Sequence, residues 1–264
     1  MELHIASAAG NVFGYVWDDD VNYSNMGRYA QTICPRGTGL GLDGLFWLQR
    51  PQGGPWRMDH WEPDGAKTFC SNGSRAALAL EGSPQGPDIE VLSSGVRIRL
   101  RRDGGGIGIH MPEGEGFGLR AVPMPVAHPA GFGWIGNPQL VLRVPAVDAV
   151  DLPALAPPLR AHGALPGGTN VNVVEVLEPG VARIRSWERG VEGETLCCGT
   201  GCAVAAAWLA RETGRCAWTL HPTGGDPVQV TLRLGSHGQW RDLWLSGPVR
   251  RIATAIPEAG LLGD

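Results

Sequence analysis

Two cysteines in this 264-residue chain each precede a few small residues and then an alanine-rich apolar stretch. Cys70-Ser71-Asn72-Gly73 leads into Ser74 to Leu80 (SRAALAL), and Cys198-Gly199-Thr200-Gly201 leads into Ala203 to Arg211 (AVAAAWLAR). Both stretches are apolar nearly all round, the pattern of a buried helix. A thiol at the start of such a helix sits among unpaired N–H groups at the positive end of the dipole. That setting favours thiolate and predicts a pKa below the free value of ~8.5. The same amides, freed by small residues, can hold a carboxylate. Two thiols, one ionised and one neutral, suit the inversion of a carbon stereocentre. The thiolate removes the α-proton from one face and the thiol returns a proton to the other. The helix ends stabilise the charge that spreads onto the carboxylate as the carbanion forms. This chemistry needs neither a cofactor nor a metal. Helix context alone leaves a second reading equally open, because cysteine is often just a small buried hydrophobe. Packing is the reading for Cys34, Cys202 and Cys216, and Cys197 packs or lies behind the site.

The elements that must position these residues are mostly short strands. Forty glycines and 21 prolines imply many tight turns, and 43% hydrophobic residues are enough for a real core. Val91 to Leu100, Val181 to Ile184, Val228 to Leu234 and Leu243 to Leu245 read as strand. Each half of the chain holds one cysteine, one small-residue lead-in and one buried helix, which suggests two similar lobes. The boundary falls near Gly116 to Pro123, where a glycine-rich stretch gives way to AVPMPVAHP. A formal charge of −4 with only 18% charged residues gives no footprint for nucleic acid. No stretch reaches the ~18 apolar residues of a membrane helix, and the N-terminus lacks a signal core. A cytoplasmic protein with reduced thiols follows as the expectation. Gly39 to Gly44 formally reads GxGxxG, but no helix or βαβ pattern surrounds it, so a dinucleotide site is discounted. No CxxC or HxxxH spacing marks a zinc or thiol–disulfide site. Trp47, Trp56, Trp61 and Trp134 flank the motif segments, and core packing is the default for each.

With those motifs in view, the sequence resembles the diaminopimelate epimerase family. Glu188-Arg189-Gly190, Gly193-Glu194-Thr195 and Cys198-Gly199-Thr200-Gly201 are similar to its ERG…GET…CGTG signature. Asp64-Gly65 and Cys70-Ser71-Asn72-Gly73 are similar to its NADGS…CGNG block. Further matches are Gly10-Asn11-Val12-Phe13, Gly39 to Asp43, Gly136-Asn137-Pro138, and Asn170 within GTNVNVVEV. The resemblance implies an isomerase in which Cys70 and Cys198 exchange acid and base roles without a cofactor. It places the α-carboxylate on the amides of Ser71, Asn72, Gly199 and Thr200. The rest of the amino-acid substrate falls to Asn11, Glu62, Asn137, Asn170, Glu188 and Arg189. It also implies an α/β (α+β) fold of two pseudosymmetric lobes, each a curved, mostly antiparallel sheet around a central helix, with the site in the interlobe cleft. The expected lobes are residues 1–117 with a returning segment 248–264, and residues 118–247. A homodimer is a further expectation of the resemblance.

Four positions depart from the family pattern. Glu62 stands where the family has an asparagine, Gly44 replaces a glutamine, Gln139 replaces the histidine of GNPH, and Ser71 replaces a glycine. A carboxylate at position 62 would repel a distal carboxylate and favour a distal cation, as in lysine, ornithine, arginine or histidine. Racemisation of such a basic amino acid is therefore the alternative substrate reading. A non-catalytic amino-acid-binding protein on the same scaffold is the alternative from another class.

Overall fold

In this computed structural model the described residues are 1–52, 54–80, 88–103, 106–235 and 239–258. Part of the glycine-rich stretch before the expected boundary and residues 259–264 of the returning segment lie outside them. The chain divides into two compact units, one formed by Met1–Ile109 with the chain from Pro248, the other by His110–Gly247. Strands dominate and helices are few. No helix among the described residues is long and apolar enough to cross a membrane.

The first unit runs β1 (Leu3–Ala8), β2 (Asn11–Trp17), α1 (Met26–Ile33), β3 (Gly44–Gln49), β4 (Trp56–Trp61), β5 (Lys67–Thr68), α2 (Ser71–Ala77), β6 (Ile89–Ser93), β7 (Val96–Asp103) and β8 (Gly106–His110). The second runs β9 (Gly118–Arg120), β10 (Ala130–Trp134), β11 (Pro138–Arg143), α3 (Leu152–Arg160), β12 (Asn170–Glu178), β13 (Val181–Glu188), β14 (Gly193–Thr195), α4 (Gly199–Thr213), β15 (Ala217–Pro222), β16 (Val228–Leu234) and β17 (Trp240–Gly247). The last strand, β18 (Val249–Ala255), pairs antiparallel with β1, from Leu3 opposite Ala255 to Ala8 opposite Val249.

The two units repeat one ladder. In the first, β1–β2 is antiparallel, β2–β3 parallel, β3–β4 antiparallel, β4–β6 parallel and β6–β7 antiparallel. In the second, β10–β11, β11–β12, β12–β13, β13–β15 and β15–β16 follow the same alternation. A parallel neighbour needs a crossover, which a helix normally supplies. Accordingly α1 and α3 bridge the first parallel pair of each unit, and α2 and α4 the second. A short strand precedes each cysteine, since β5 pairs with β4 and β14 with β13.

Each cysteine-led helix sits against strands of its own unit. The helix α2 packs on β1, β2 and β18, and all seven of its residues are buried. The helix α4 packs on β9, β10, β11, β12, β15, β16 and β17, buried from Gly199 through Ala210. For α4, being apolar nearly all round is what such a position demands, whereas α2 buries Asn72, Ser74 and Arg75 through hydrogen bonds. Both helices begin earlier than the apolar runs suggest, directly after Cys70 and Cys198, because the small residues form the first turn. The run from Val91 to Leu100 is not one strand. It breaks at Ser94-Gly95, where φ of 46° and 84° make the two-residue turn of the β6–β7 hairpin.

Satellite cores cover the other faces. The inner side of α1 (Met26, Tyr29, Ala30, Ile33) packs with Leu3, Val16, Leu45, Trp47 and Trp61. In α3, Leu152 and Ala156 pack with Leu140, Leu142, Val171 and Val173. Core packing thus accounts for Trp47 and Trp61, whereas Trp56 and Trp134 are only half-buried.

Candidate active site

Cys70 is the N-cap residue of α2 and Cys198 that of α4, each in extended backbone before the first turn. The first helical hydrogen bonds run from the Ser74 amide to the Cys70 carbonyl and from the Cys202 amide to the Cys198 carbonyl. In any α-helix the first-turn amides lack a backbone acceptor inside the helix; in α4 the Gly201 amide donates to the Cys198 sulfur. Glycine stands third after the cap in both, and packing requires it. A Cβ on Gly73 would overlap the Phe46 ring, and one on Gly201 would overlap Asn172 Oδ1.

In the first unit Cys70 is half-buried. Asn72 Nδ2 donates to Asn11 Oδ1 at 3.0 Å, and both asparagines are buried. Asn11 in turn bonds to Asp43, whose carboxylate accepts the Val12 amide at 2.7 Å. Beneath them Arg75 is wholly buried and donates to Asn72 Oδ1 (3.1 Å) and the Ile107 carbonyl (3.2 Å). Tyr15 donates to the Gly73 carbonyl at 2.8 Å, bracing the first turn from below. Ser71 is also buried. Glu62, half-buried at the end of β4, accepts from Thr68 Oγ1 at 2.8 Å. Thr68 Oγ1 lies 3.0 Å from His60 Nδ1, and burial holds His60 neutral, its pKa lowered to about 3. Because Thr68 donates to Glu62, it accepts from Nδ1–H. His60 Nε2 faces the backbone of Gly44, where any side chain would collide with it.

In the second unit Cys198 is buried, and polar groups of three strands surround its sulfur. The parallel register sets Gln139 beside Asn170, and the antiparallel one sets Asn172 opposite Ser186. Gln139 Nε2 lies 3.7 Å and its Oε1 3.9 Å from Sγ. Thr200 Oγ1 is 3.4 Å from Sγ, and the Gly201 amide donates to it at 3.4 Å. Asn170 Nδ2 is 4.0 Å away, and its Oδ1 accepts the Arg189 amide at 2.8 Å. Asn137 Oδ1 accepts from Gln139 at 3.0 Å. Glu188 accepts from Thr195 Oγ1 at 2.5 Å and acts on the Cys198 charge. The exposed Arg189 side chain donates to the Gly167 carbonyl.

One electrostatic expectation fails here. The helix start predicts a lowered Cys198 pKa, but the thiol is pushed well above its ordinary value. Burial is the larger cause and the Glu188 carboxylate adds to it, outweighing the bonds from Thr200 and Gly201. Cys198 is therefore a protonated thiol at neutral pH. Burial also raises Cys34, to about 12, in keeping with a packing role.

Sequence reasoning did not assign Asn172, Arg75, Tyr15 or His60 to the site, and noted Gln139 only as a departure. The alternation Asn170-Val-Asn172 was the available signal for Asn172, since residues two apart on a strand share a face. Nothing in composition marks Arg75 as buried.

Comparison with known proteins places these observations in a family. A family model described as diaminopimelate epimerase matches residues 134–238. The diaminopimelate epimerase of Chlorobaculum tepidum is 30% identical over 261 residues, covering 93% of this chain and 97% of its own. That of Desulforudis audaxviator is 34% identical, covering 92% of this chain and 91% of its own. Among solved structures, a PhzF-family phenazine biosynthesis protein from Bacillus anthracis superposes with a TM-score of 0.70 at 15% identity, covering 97% of this chain and 98% of its own. A hydroxyproline epimerase from Agrobacterium vitis gives 0.69 at 12% identity, covering 97% and 91%. The two structures share the α/β fold. Whole-length identity at this level, carried on a scaffold with a cysteine capping each buried helix, means that the chain belongs to the diaminopimelate epimerase family and is an isomerase of the racemase/epimerase class.

Proposed function

We propose that the chain inverts an α-carbon of diaminopimelate by a two-thiol mechanism. The Cys70 thiolate takes the α-proton from one face, leaving a carbanion. The Cys198 thiol gives its proton to the opposite face, so the new C–H bond has inverted configuration. Cys70 is then the thiol and Cys198 the thiolate, the state that runs the reverse reaction. The amides of Ser71, Asn72, Gly199 and Thr200 hold the reacting carboxylate and stabilise its growing charge. Asn11, Glu62, Asn137, Asn170, Glu188 and Arg189 contact the rest of the substrate. The observation that carries this reading is the repetition: each half caps a buried helix with a cysteine at the same point of the same ladder. The raised Cys198 pKa adds to it, because the reaction needs one neutral thiol at the start. The setting proposed is a cytoplasmic homodimer, and sedimentation tests the dimer.

A second reading keeps the mechanism and changes the substrate. The Thr68 hydroxyl holds the Glu62 carboxylate in place, and a fixed anion favours an amino acid with a distal cation. Proton exchange in deuterated water under reducing conditions tests both, over diaminopimelate, lysine, ornithine, arginine, histidine and neutral amino acids. Exchange with diaminopimelate, lost in Cys70→Ala and Cys198→Ala, supports the first reading. Exchange only with a basic amino acid supports the second. Binding without exchange sinks both and leaves a binding protein.

A further inference from the structure

We infer that Gln139 is the positioning residue of Cys198, setting the hydrogen-bond state of its sulfur through Thr200. The inference rests on the two-thiol reading above. Gln139 is wholly buried on β11, and every polar atom of its amide is engaged. Its Oε1 accepts from Asn172 Nδ2 at 2.9 Å, which fixes which end of the amide is which. Asn172 is itself locked, donating to the Leu140 carbonyl at 3.0 Å and accepting from Ser186 Oγ at 2.7 Å. Gln139 Nε2 therefore faces Thr200 Oγ1 at 2.9 Å and Asn137 Oδ1 at 3.0 Å. A hydroxyl that accepts from Gln139 keeps its own hydrogen to give elsewhere, and Sγ of Cys198 is 3.4 Å away. The chain Ser186–Asn172–Gln139–Thr200 thus ends on the reacting sulfur with a defined direction.

This arrangement suits a sulfur that alternates between thiol and thiolate. Thr200 donates to the thiolate, and Gln139 Oε1, 3.9 Å from Sγ, is the acceptor beside the thiol. An amide does both without taking up or losing a proton. The four side chains of the relay are neutral at every working pH, so none of them competes for the proton in transit. The charged group that acts on the sulfur from β13 is Glu188.

The test uses the full-length enzyme and epimerisation of diaminopimelate. Gln139→Leu removes the donor to Thr200 at similar volume. It is expected to lower kcat about 10- to 100-fold with KM within about threefold, the scale of a misplaced reacting group. Gln139→Glu is isosteric but takes the Thr200 hydrogen for itself and sets an anion beside Sγ. In the direction that uses Cys198 as base, the acidic limb of the pH–rate profile then moves up by about one unit or more. The added anion moves the limb wherever it faces Sγ, so the neutral variants carry the discrimination. Losing the Thr200 donor to the thiolate moves the same limb up in Gln139→Leu with no new charge, whereas a residue that merely packs leaves it in place. Gln139→Met, also neutral and of similar volume, repeats the measurement if Gln139→Leu fails to fold. Wild-type kcat in the neutral variant, a loss confined to KM, or an unmoved limb in it overturns the assignment. Cys198→Ala separates the two levels. If it still epimerises, the two-thiol reading falls and this inference with it. If it is inactive while the Gln139 variants behave as wild type, only the role of Gln139 falls.

Discussion

Gly201→Ala sets two well-known effects against each other, and the geometry decides between them. In an ordinary helix interior the change stabilises by about 1 kcal/mol, because alanine is the better helix former. Gly201 is in the first turn of α4, where an added Cβ overlaps Asn172 Oδ1. Asn172 must retreat by roughly 1 Å to reach ordinary contact. It cannot do so and keep its bonds from Ser186 (2.7 Å) and to Gln139 (2.9 Å). Losing two bonds in a buried site, each worth about 1–3 kcal/mol, outweighs the helix gain, for a net destabilisation of about 1–5 kcal/mol. For a unit of this size that lowers Tm by roughly 4 °C per kcal/mol. The same shift releases Gln139 and Thr200, so kcat falls by about 10-fold or more. Urea unfolding, a thermal scan and a rate on one preparation measure all three. Alanine at 201 with a raised Tm and native kcat would refute the reasoning, because it would mean that Asn172 yields at no cost.

Other outcomes follow from the same geometry. Gly73→Ala drives a Cβ into the Phe46 ring and should destabilise the first unit by about 1–3 kcal/mol; an unchanged urea midpoint argues against that contact. Arg75→Met leaves Asn72 Oδ1 and the Ile107 carbonyl without this donor, costing about 2–4 kcal/mol, and a Tm equal to wild type refutes it. His60 is held neutral down to about pH 3 when folded, against ~6.5 when unfolded. Its contribution is therefore complete above pH 6.5 and is lost as pH falls from 6.5 towards 3, since the unfolded state binds the extra proton. His60→Asn keeps the bond to Thr68 and should flatten the stability curve between pH 7 and 4.5; parallel curves count against it. Without substrate, Cys198 should react with iodoacetamide at pH 8 at least about 10-fold more slowly than the half-buried Cys216, by peptide mapping. Faster labelling of Cys198 means that its thiolate is already formed.

Much of the architecture was readable because local signals agree. Val228–Leu234 alternates cleanly and is β16 residue for residue. SRAALAL and AVAAAWLAR are apolar nearly all round because both pack against sheet, and a period of neither 2 nor 3.6 was needed to see it. Two helices escaped. In α3, Pro157 and Pro158 mask a segment that Asp151 nevertheless caps, accepting the Ala154 amide. In α1, only Met26, Tyr29, Ala30 and Ile33 form the buried face, spread over two turns. The cysteines and small residues of the site were legible from type and spacing, whereas their supports were not. Arg75 reads as a surface residue until Asn72 and Ile107 supply acceptors. The thiol environment was misjudged at Cys198 because a sequence shows the helix start but not how much water is excluded from it. Gln139 looked like a lost histidine; its meaning emerges only with Asn172 and Thr200 around it.

The pairing of β18 with β1 has a consequence for how the chain is made. Leu3 and Ala255 are neighbours in one ladder, yet the whole second unit is synthesised between them. On the ribosome, residues 110–247 can complete every strand partner they need before the last strand has left the exit tunnel. The first unit cannot. It must wait with the β1 edge open and with α2, which packs against β18, covered on one side less. The unit that emerges first is thus the one that closes last, and a nascent chain stopped short of Val249 would carry a finished second unit and an unfinished first. An open edge of this kind pairs readily with other strands, so the delay between the first unit and the arrival of β18 bears directly on how much of the protein aggregates before it can work.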